Sequence, residues 1–577
     1  MAEHIYPKVI NGKTYYYLQK TYREKIEGPG SGKTKGSGKS RVRTKSIYLG
    51  TAQSIMERLN RAKEPVEARH REFGLSAAAL QTAQEIGLCD LLKEHIKGER
   101  YGTPRWLYFM LPVLNRISRA TSKEQMGKWS AKTVLPDLLG FDPARLNSKT
   151  FWYATDDVIS EKELRKRRRE APEINDDLFA GLDDSVFIEI EQSLFANLRE
   201  RFHLSASALL YDTTNFFTYI EEPVRSKLAR PGHNKDCRHH LKQVGLAMCV
   251  DKEWGLPLFH RLYRGNSQDA GTFAGLVDDL ILSLRAGFDK VDDLVLVLDK
   301  GNNSKENFAA LKGKVQWVGS LVLSHYPDLV DLSLDDYSGR FEQMTYYKCV
   351  REVMGLQCAL VLTYNEKLAV KQEHTLQNGI ERLKAKVLEK WQSYKKRPRQ
   401  VPAGVLTMLR QSRYGKYLRV ELKGGELCFS ETEAVDEQRK RFGKNLLFAG
   451  DPGAEAGWII SNYKSKERIE DAFKLIKDPD LVRWRPSRHW TDTKIRAYGF
   501  CCVMALALVR VMQLKAELAG LRMSASVLKE ELIDLQEVVM IYDDKTAQTK
   551  ITGRSKVQEK LWRLFDLGAM ERLLTIH

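Results

Sequence analysis

The chain of 577 residues is too long for one hydrophobic core and predicts two to four domains. An apolar share of 43% with 9% aromatics excludes a disordered chain. The 93 Lys and Arg against 75 Asp and Glu leave a net charge of +18, so a polyanion is the expected partner, nucleic acid before an anionic membrane surface. Eight scattered cysteines without a C-x-x-C pair exclude a disulfide scaffold and fit free thiols in a reducing cytosol. The N-terminus carries no apolar signal core. The longest apolar run, Ala497 to Val509, is too short for a bilayer and reads as a buried core helix, so no membrane association is expected.

Residues 1–50 read as a small basic β-rich module, with Tyr15, Tyr16 and Tyr17 in one strand-like run. The stretch Gly28 to Ser40 is a Gly/Ser/Lys loop containing Gly-Lys-Thr and Gly-Lys-Ser. A phosphate loop needs Gly five residues before each Gly-Lys pair; Glu27 and Lys33 stand there, and no nucleotide cofactor is expected. Residues 51–180 read as a helical DNA-binding region. Leu75 to Ile96 is periodic with Ser76 as a candidate N-cap, and Leu107 to Ile117 is a second apolar helix. Arg165 to Arg169 is a block of five cations, with Arg165, Arg167 and Arg168 as candidate phosphate ligands or a solvated helix end.

From about 205 the pattern becomes α/β. Ala208 to Phe217 is strand-like with Asp212 inside it, and Lys242 to Val250 with Leu256 to Tyr263 reads as a hairpin. Ala270 to Arg285 is helical. Leu294 to Leu298 is wholly apolar, as in a strand buried on both faces, and ends at Asp299-Lys300-Gly301. Residues 325–445 interrupt the pattern as a β-rich insertion around a long charged helix, Ala369 to Lys396. The expected division is 1–50, 51–180, a core in two parts at 181–324 and 446–577, and the insertion between them.

In the second core part, Tyr463, Lys466, Glu470 and Lys477 fall on one face of a helix, and Ile469, Ala472, Phe473 and Ile476 on a buried stripe. An acid inside an apolar strand is costly unless solvated, paired or bound to a metal. Asp212 and Asp299 are each explicable alone as structural hydrogen-bonding residues. In a sheet whose first strand lies beside its fourth, both project to one edge, where a crossing helix delivers Glu470. Three hard oxygen donors without His or Cys suit Mg²⁺ or Mn²⁺, and such a site can hold two ions acting on a phosphodiester. His233, Cys237, His239 and His240 crowd one loop but fit no standard zinc spacing. Trp391, Trp484 and Trp490 are open between packing and stacking on bases.

These blocks, in this order, resemble the DDE insertion-sequence transposases with a ribonuclease-H-like core and a Y-x2-R-x3-E-x6-K signature. Tyr463, Lys466, Glu470 and Lys477 match the signature with Lys in place of Arg, which keeps the charge and loses the bidentate fork. YDTTNF around Asp212 and LDKGNNSKENF from Leu298 resemble the first two catalytic blocks. GNSQDAGTF (Gly265, Asn266, Asp269, Thr272, Phe273), GHNKDCR from Gly232, Arg485-Pro486 and HWTD from His489 resemble further family elements. Tyr498 stands where relatives carry His. The likeness covers about 205–310 and 445–510.

The resemblance implies a ribonuclease-H-like mixed sheet with helices on both faces, interrupted by the insertion. It implies metal binding and catalysis by Asp212, Asp299 and Glu470, with two Mg²⁺ per site and Mn²⁺ as substitute. DNA contacts by Tyr463, Lys466, Lys477 and Lys300 follow. The implied partners are element-end and target DNA and a second copy of the chain in a synaptic homodimer, in a bacterial or archaeal cytoplasm, at the nucleoid. Two other readings share these residues: a catalytically silent, transposase-derived DNA-binding protein, and a metal-dependent endonuclease without strand transfer.

Overall fold

The computed structural model describes residues 2–25, 40–60, 65–204, 208–220, 225–232, 240–267, 269–287, 294–394, 399–485, 487–543 and 546–575. The chain forms two compact units, one of residues 1–71 with 536–552 and one of 72–535 with 553–577. In the smaller unit, β1 (Ala2–Ile10), β2 (Lys13–Lys25) and β3 (Ser40–Gly50) form an antiparallel sheet in that order. Asn11 and Gly12, both at positive φ, make the tight turn between β1 and β2. Tyr6, Tyr17 and Tyr48 stand level across the three strands, with ring centroids 5.8 and 5.3 Å apart, so part of the tyrosine run is a cross-strand ladder. The Gly/Lys loop lies largely outside the described residues.

The larger unit is built on one mixed sheet. β4 (Leu209–Thr218), β5 (Lys242–Asp251) and β6 (Pro257–Arg264) form an antiparallel meander. β7 (Val295–Val297) then pairs parallel with β4, and β8 (Gln316–Leu321) parallel with β7. The spatial order β6-β5-β4-β7-β8 sets the first strand beside the fourth, the ribonuclease-H-like arrangement. Every residue of β5 after Lys242 is buried, as a strand covered on both faces requires. Helices α1 (Ser185–Phe202) and α2 (Asp269–Gly287) pack with β6, and α3 (Glu467–Lys477) with β4 and β5. The GNSQDAGTF block serves this packing. A Cβ on Gly265 would lie 1.8 Å from the Gln243 carbonyl oxygen, and Phe273 meets Tyr211 edge-on at 4.8 Å.

The sheet continues beyond β8 through segment 325–445. Strands β9 (Gly339–Phe341), β10 (Met344–Val353) and β11 (Leu356–Tyr364) join it through β12 (Lys444–Ala449), which pairs antiparallel with β8 on one side and β11 on the other. The rest of the segment is a mostly helical module. The long helix is Glu366–Gln392, and its Leu376, Ile380, Leu383 and Val387 share a core with Val405 and Tyr417. Its ends meet: Tyr364 pairs with Lys444, and the Asn365 N–H donates to the Gly443 carbonyl at 2.9 Å.

Local expectations are corrected in two places. The periodic stretch from Leu75 is two helices, Gly74–Glu85 and Leu88–His95, broken at Gly87 in the left-handed region (φ 79°). Ser76 does not cap it; its N–H and hydroxyl donate to Glu72 Oε1 at 3.0 and 2.6 Å. The apolar run near the C-terminus lies in α4 (Asp492–Leu518), the one described helix long and apolar enough to cross a membrane, and 89% of its apolar window is buried as a core helix.

Asp492, the first residue of α4, is fully buried. It accepts hydrogen bonds from Ser226 and from the Lys227 and Leu228 N–H groups, and pairs with Arg168. Removing it strands a buried guanidinium and three donors. Asp492→Ala should lower unfolding stability by about 3–5 kcal/mol, read as a fall in the thermal midpoint; a midpoint within a degree or so of wild type would show that the cluster contributes nothing.

Candidate active site

Leu209 pairs with Leu296 and Leu210 with Val297, so continuing the register sets Asp299 level with Asp212 on the adjoining strand. Both acids sit where an apolar strand opens toward solvent. Asp212 Oδ1 accepts from the Thr213 N–H at 2.8 Å. Asp299 caps the turn Lys300–Asn302, with Oδ1 accepting from the Lys300 N–H at 2.7 Å. The following loop is braced from within. Asn303 donates to the Ser320 carbonyl at 2.8 Å, Asn307 to the Asn302 carbonyl at 2.7 Å, and Ser304 caps the helix Lys305–Leu311.

The expected single helix Tyr463–Lys477 is two. Helix Ala456–Lys464 ends in a turn at Ser465 and Lys466, and α3 follows. Ile469, Ala472, Phe473 and Ile476 are buried as expected and fix α3 on the sheet. The bend places Lys466 at the start of α3 with its side chain among the acids. Its ammonium lies 2.9 Å from Asp299 Oδ1 and 3.8 Å from Glu470 Oε1, and Asp212 is near enough to stabilise the same charge. The Tyr463 hydroxyl is 2.7 Å from Ser320 Oγ on β8, a contact that a mid-strand serine does not announce in sequence.

The charges set each other. Burial alone would raise the Asp299 carboxyl, but the Lys466 ammonium, then the Lys300 N–H and charge, hold it below the usual range. Burial pulls Lys466 down, yet Asp299 foremost, then Tyr463 and Asp212, hold its ammonium above its ordinary value. Burial also raises the Tyr463 phenol, against the opposing effect of Ser320 and Lys466. At the far end of α3, Lys477 donates to Thr214 Oγ1 at 2.5 Å and lies over Phe216, two and four residues beyond Asp212 on β4.

Among the described residues no three His, Cys, Asp or Glu side chains stand close enough together to hold a metal ion as they are. The donor chemistry fits a hard divalent cation in kind: three carboxylates face one cation, and the Asp299 and Glu470 side chains are 36% and 52% exposed. A single ammonium now stands between two of them.

The other candidates are dispersed. Lys300 is exposed beside Asp299. Arg165 pairs with Glu161 at 3.1 Å and Arg167 with Asp183 at 3.2 Å, both partly exposed on the helix Glu161–Glu170. Arg168 is turned inward, donating to Asp492 and to the Ala180 carbonyl, so its charge is neutralised inside the protein. Of the zinc-like group, His233, Cys237 and His239 lie outside the described residues. Trp484 is a packing residue, stacked on Phe216 at 4.1 Å, and Trp391 is buried in the helical module. Tyr498 donates its hydroxyl to the Trp484 carbonyl at 2.5 Å, a structural part for this residue.

No family model matches the chain, and no curated protein matches it. Its structural neighbours include two transposases. The piggyBac transposase synaptic complex with hairpin DNA, determined by cryo-EM, is 10% identical with a TM-score of 0.38, over 80% of this chain and 77% of that one. The Mos1 transposase paired-end complex with the left transposon end is 12% identical with a TM-score of 0.15, over 40% of this chain and 64% of that one.

Asp299, held low, stabilises the fold above its unfolded pKa and ceases to as pH falls through its folded value. Lys466, held high, stabilises below its unfolded pKa and ceases to as pH rises through its folded value. The stability difference between wild type and Lys466→Met should therefore be full between about pH 4 and pH 10 and shrink at either side. Urea unfolding across pH reads it; a difference flat down to about pH 3 would refute the pairing.

Proposed function

We propose that this chain is a DNA transposase whose catalytic carboxylates are Asp212, Asp299 and Glu470. One observation carries the reading: the parallel register sets Asp299 level with Asp212, and both, with Glu470, surround the charge of Lys466. The basic composition and the block order in the sequence support it.

In this reading Asp212, Asp299 and Glu470 would hold two Mg²⁺, or Mn²⁺, which would supply Lewis acidity toward a phosphodiester. The braced turn after Asp299 keeps its carboxylate aimed at the strand opening, and the buried stripe of α3 keeps Glu470 opposite it. Lys466 balances the carboxylates until DNA arrives and then offers its charge to a phosphate. Lys477, held over β4 by Thr214, takes a second phosphate, and Tyr463, fixed by Ser320, a third contact. Lys300 adds attraction beside the acids. On the basic helix, Arg165 and Arg167 face DNA rather than the inward-turned Arg168. The product of end cleavage, a 3′-OH, attacks target DNA, and two copies of the chain hold the two ends.

The test uses a plasmid carrying the DNA that flanks the gene. Wild type should nick it in Mg²⁺ or Mn²⁺ and transfer labelled ends into a second plasmid. Asp299→Ala should lose cleavage by on the order of a thousandfold or more while still retaining the DNA on a filter. Cleavage by Asp299→Ala at the wild-type rate would remove the assignment. Cleavage without capture would leave an endonuclease, and binding without cleavage a silent DNA-binding protein.

A further inference from the structure

Away from the carboxylates, a cavity of about 530 Å³ opens between the helical segment 107–155 and the stretch 483–501. That is the size of a site for a small organic ligand. Among the described residues its wall holds four cations, Arg116, Lys123, Arg483 and Arg488, and no Asp or Glu. Arg116 donates to the Arg483 carbonyl at 2.8 Å and lies over the Tyr498 ring at 5.0 Å, so it is held in place without being neutralised by an acid. Among the described residues Lys123 and Arg488 have no ion-pair partner. Burial, with repulsion from Lys494 and Arg116, pulls the Lys123 ammonium down to about 8. His489 Nδ1 is buried and has no hydrogen-bond partner among the described residues, and burial beside Lys123 and Arg116 keeps the ring neutral.

The rest of the wall is largely aromatic and apolar. Trp152 and Trp490 stack at 4.9 Å, closed by Lys494 over Trp152 at 4.8 Å and Arg225 over Trp490 at 5.0 Å, so the column is rigid. Tyr108 and Met126 complete that side. Cations gathered in a half-buried cavity without an acid repel one another and are stabilised by an entering anion. The cavity is larger than a lone phosphate fills, and the edges of the indole pair with Tyr108 and Met126 leave an apolar side for the organic part of an anion.

We propose that this cavity binds one nucleotide, its phosphate on Arg116, Lys123 and Arg488 and its base on the Trp152, Trp490 and Tyr108 side. The same chemistry is presented by a nucleotide extruded from a DNA strand and by a free nucleoside monophosphate. The site uses none of the three carboxylates and stands whether or not they are catalytic.

The test is calorimetric titration of the full chain with deoxynucleoside monophosphates, alongside fluorescence titration of a single-stranded oligonucleotide bearing one 2-aminopurine. Wild type should bind at least one probe saturably. Lys123→Met and Arg488→Gln should each weaken that binding by about tenfold. Arg488 is exposed, so its variant should fold as wild type does. Saturation by the oligonucleotide alone assigns an extruded DNA nucleotide; saturation by the monophosphate assigns a free nucleotide. Absence of saturable binding by both probes, or binding unaltered in both variants, would overturn the proposal.

Discussion

Two pairs of residues, Leu209 with Leu296 and Leu210 with Val297, decide how Asp212 and Asp299 stand toward each other. Parallel pairing has a side-chain period of two, so a slip of one residue would turn one of the acids to the opposite face. The pairing is held by burial: all four residues are in the core, in a sheet covered on both faces. The rest follows from that register. The turn after Asp299 is braced onto β8, β8 presents Ser320 to Tyr463, and α3 packs on β4 with Glu470 3.8 Å from the Lys466 ammonium.

The ammonium of Lys466 gives the site its second character. Carboxylates brought together without a cation repel and drive one another toward protonation. Here the countercharge comes from the chain itself, from Lys466. A guanidinium would offer a fixed fork and bind carboxylate bidentately, whereas an ammonium on a flexible stem is a point charge that moves with little reorganisation. Lys466 therefore reads as a looser clasp on the acids.

Much of this was legible in the sequence because the signals were local. An acid inside one apolar strand and an acid at the tip of another single out Asp212 and Asp299 as candidates, and the 3.6-residue stripe marks the buried face of α3. The bend at Ser465 was not legible: neither Gly nor Pro marks it, and the periodicity runs through it. The extension of the sheet into segment 325–445 was hidden for another reason. β12 finds β8 and β11 through contacts far apart in sequence, and no strand carries its partner's address. The inward turn of Arg168 depends on Asp492, more than 300 residues away. The cationic cavity escaped notice because its two walls come from segments that look unrelated in the chain.

The meeting of Tyr364 with Lys444, closed by the Asn365 to Gly443 hydrogen bond, makes the whole excursion 365–443 behave as one oversized hairpin loop. The sheet is joined to it at these two ends. With a core of its own, the module can grow, shrink or be exchanged at a small entropic cost in loop closure, and the strands that aim Glu470 would not register the change. Evolution is thus free to rewrite this part of the molecule at a different pace from the rest, and the place to graft a foreign domain onto this scaffold is already marked by two facing residues.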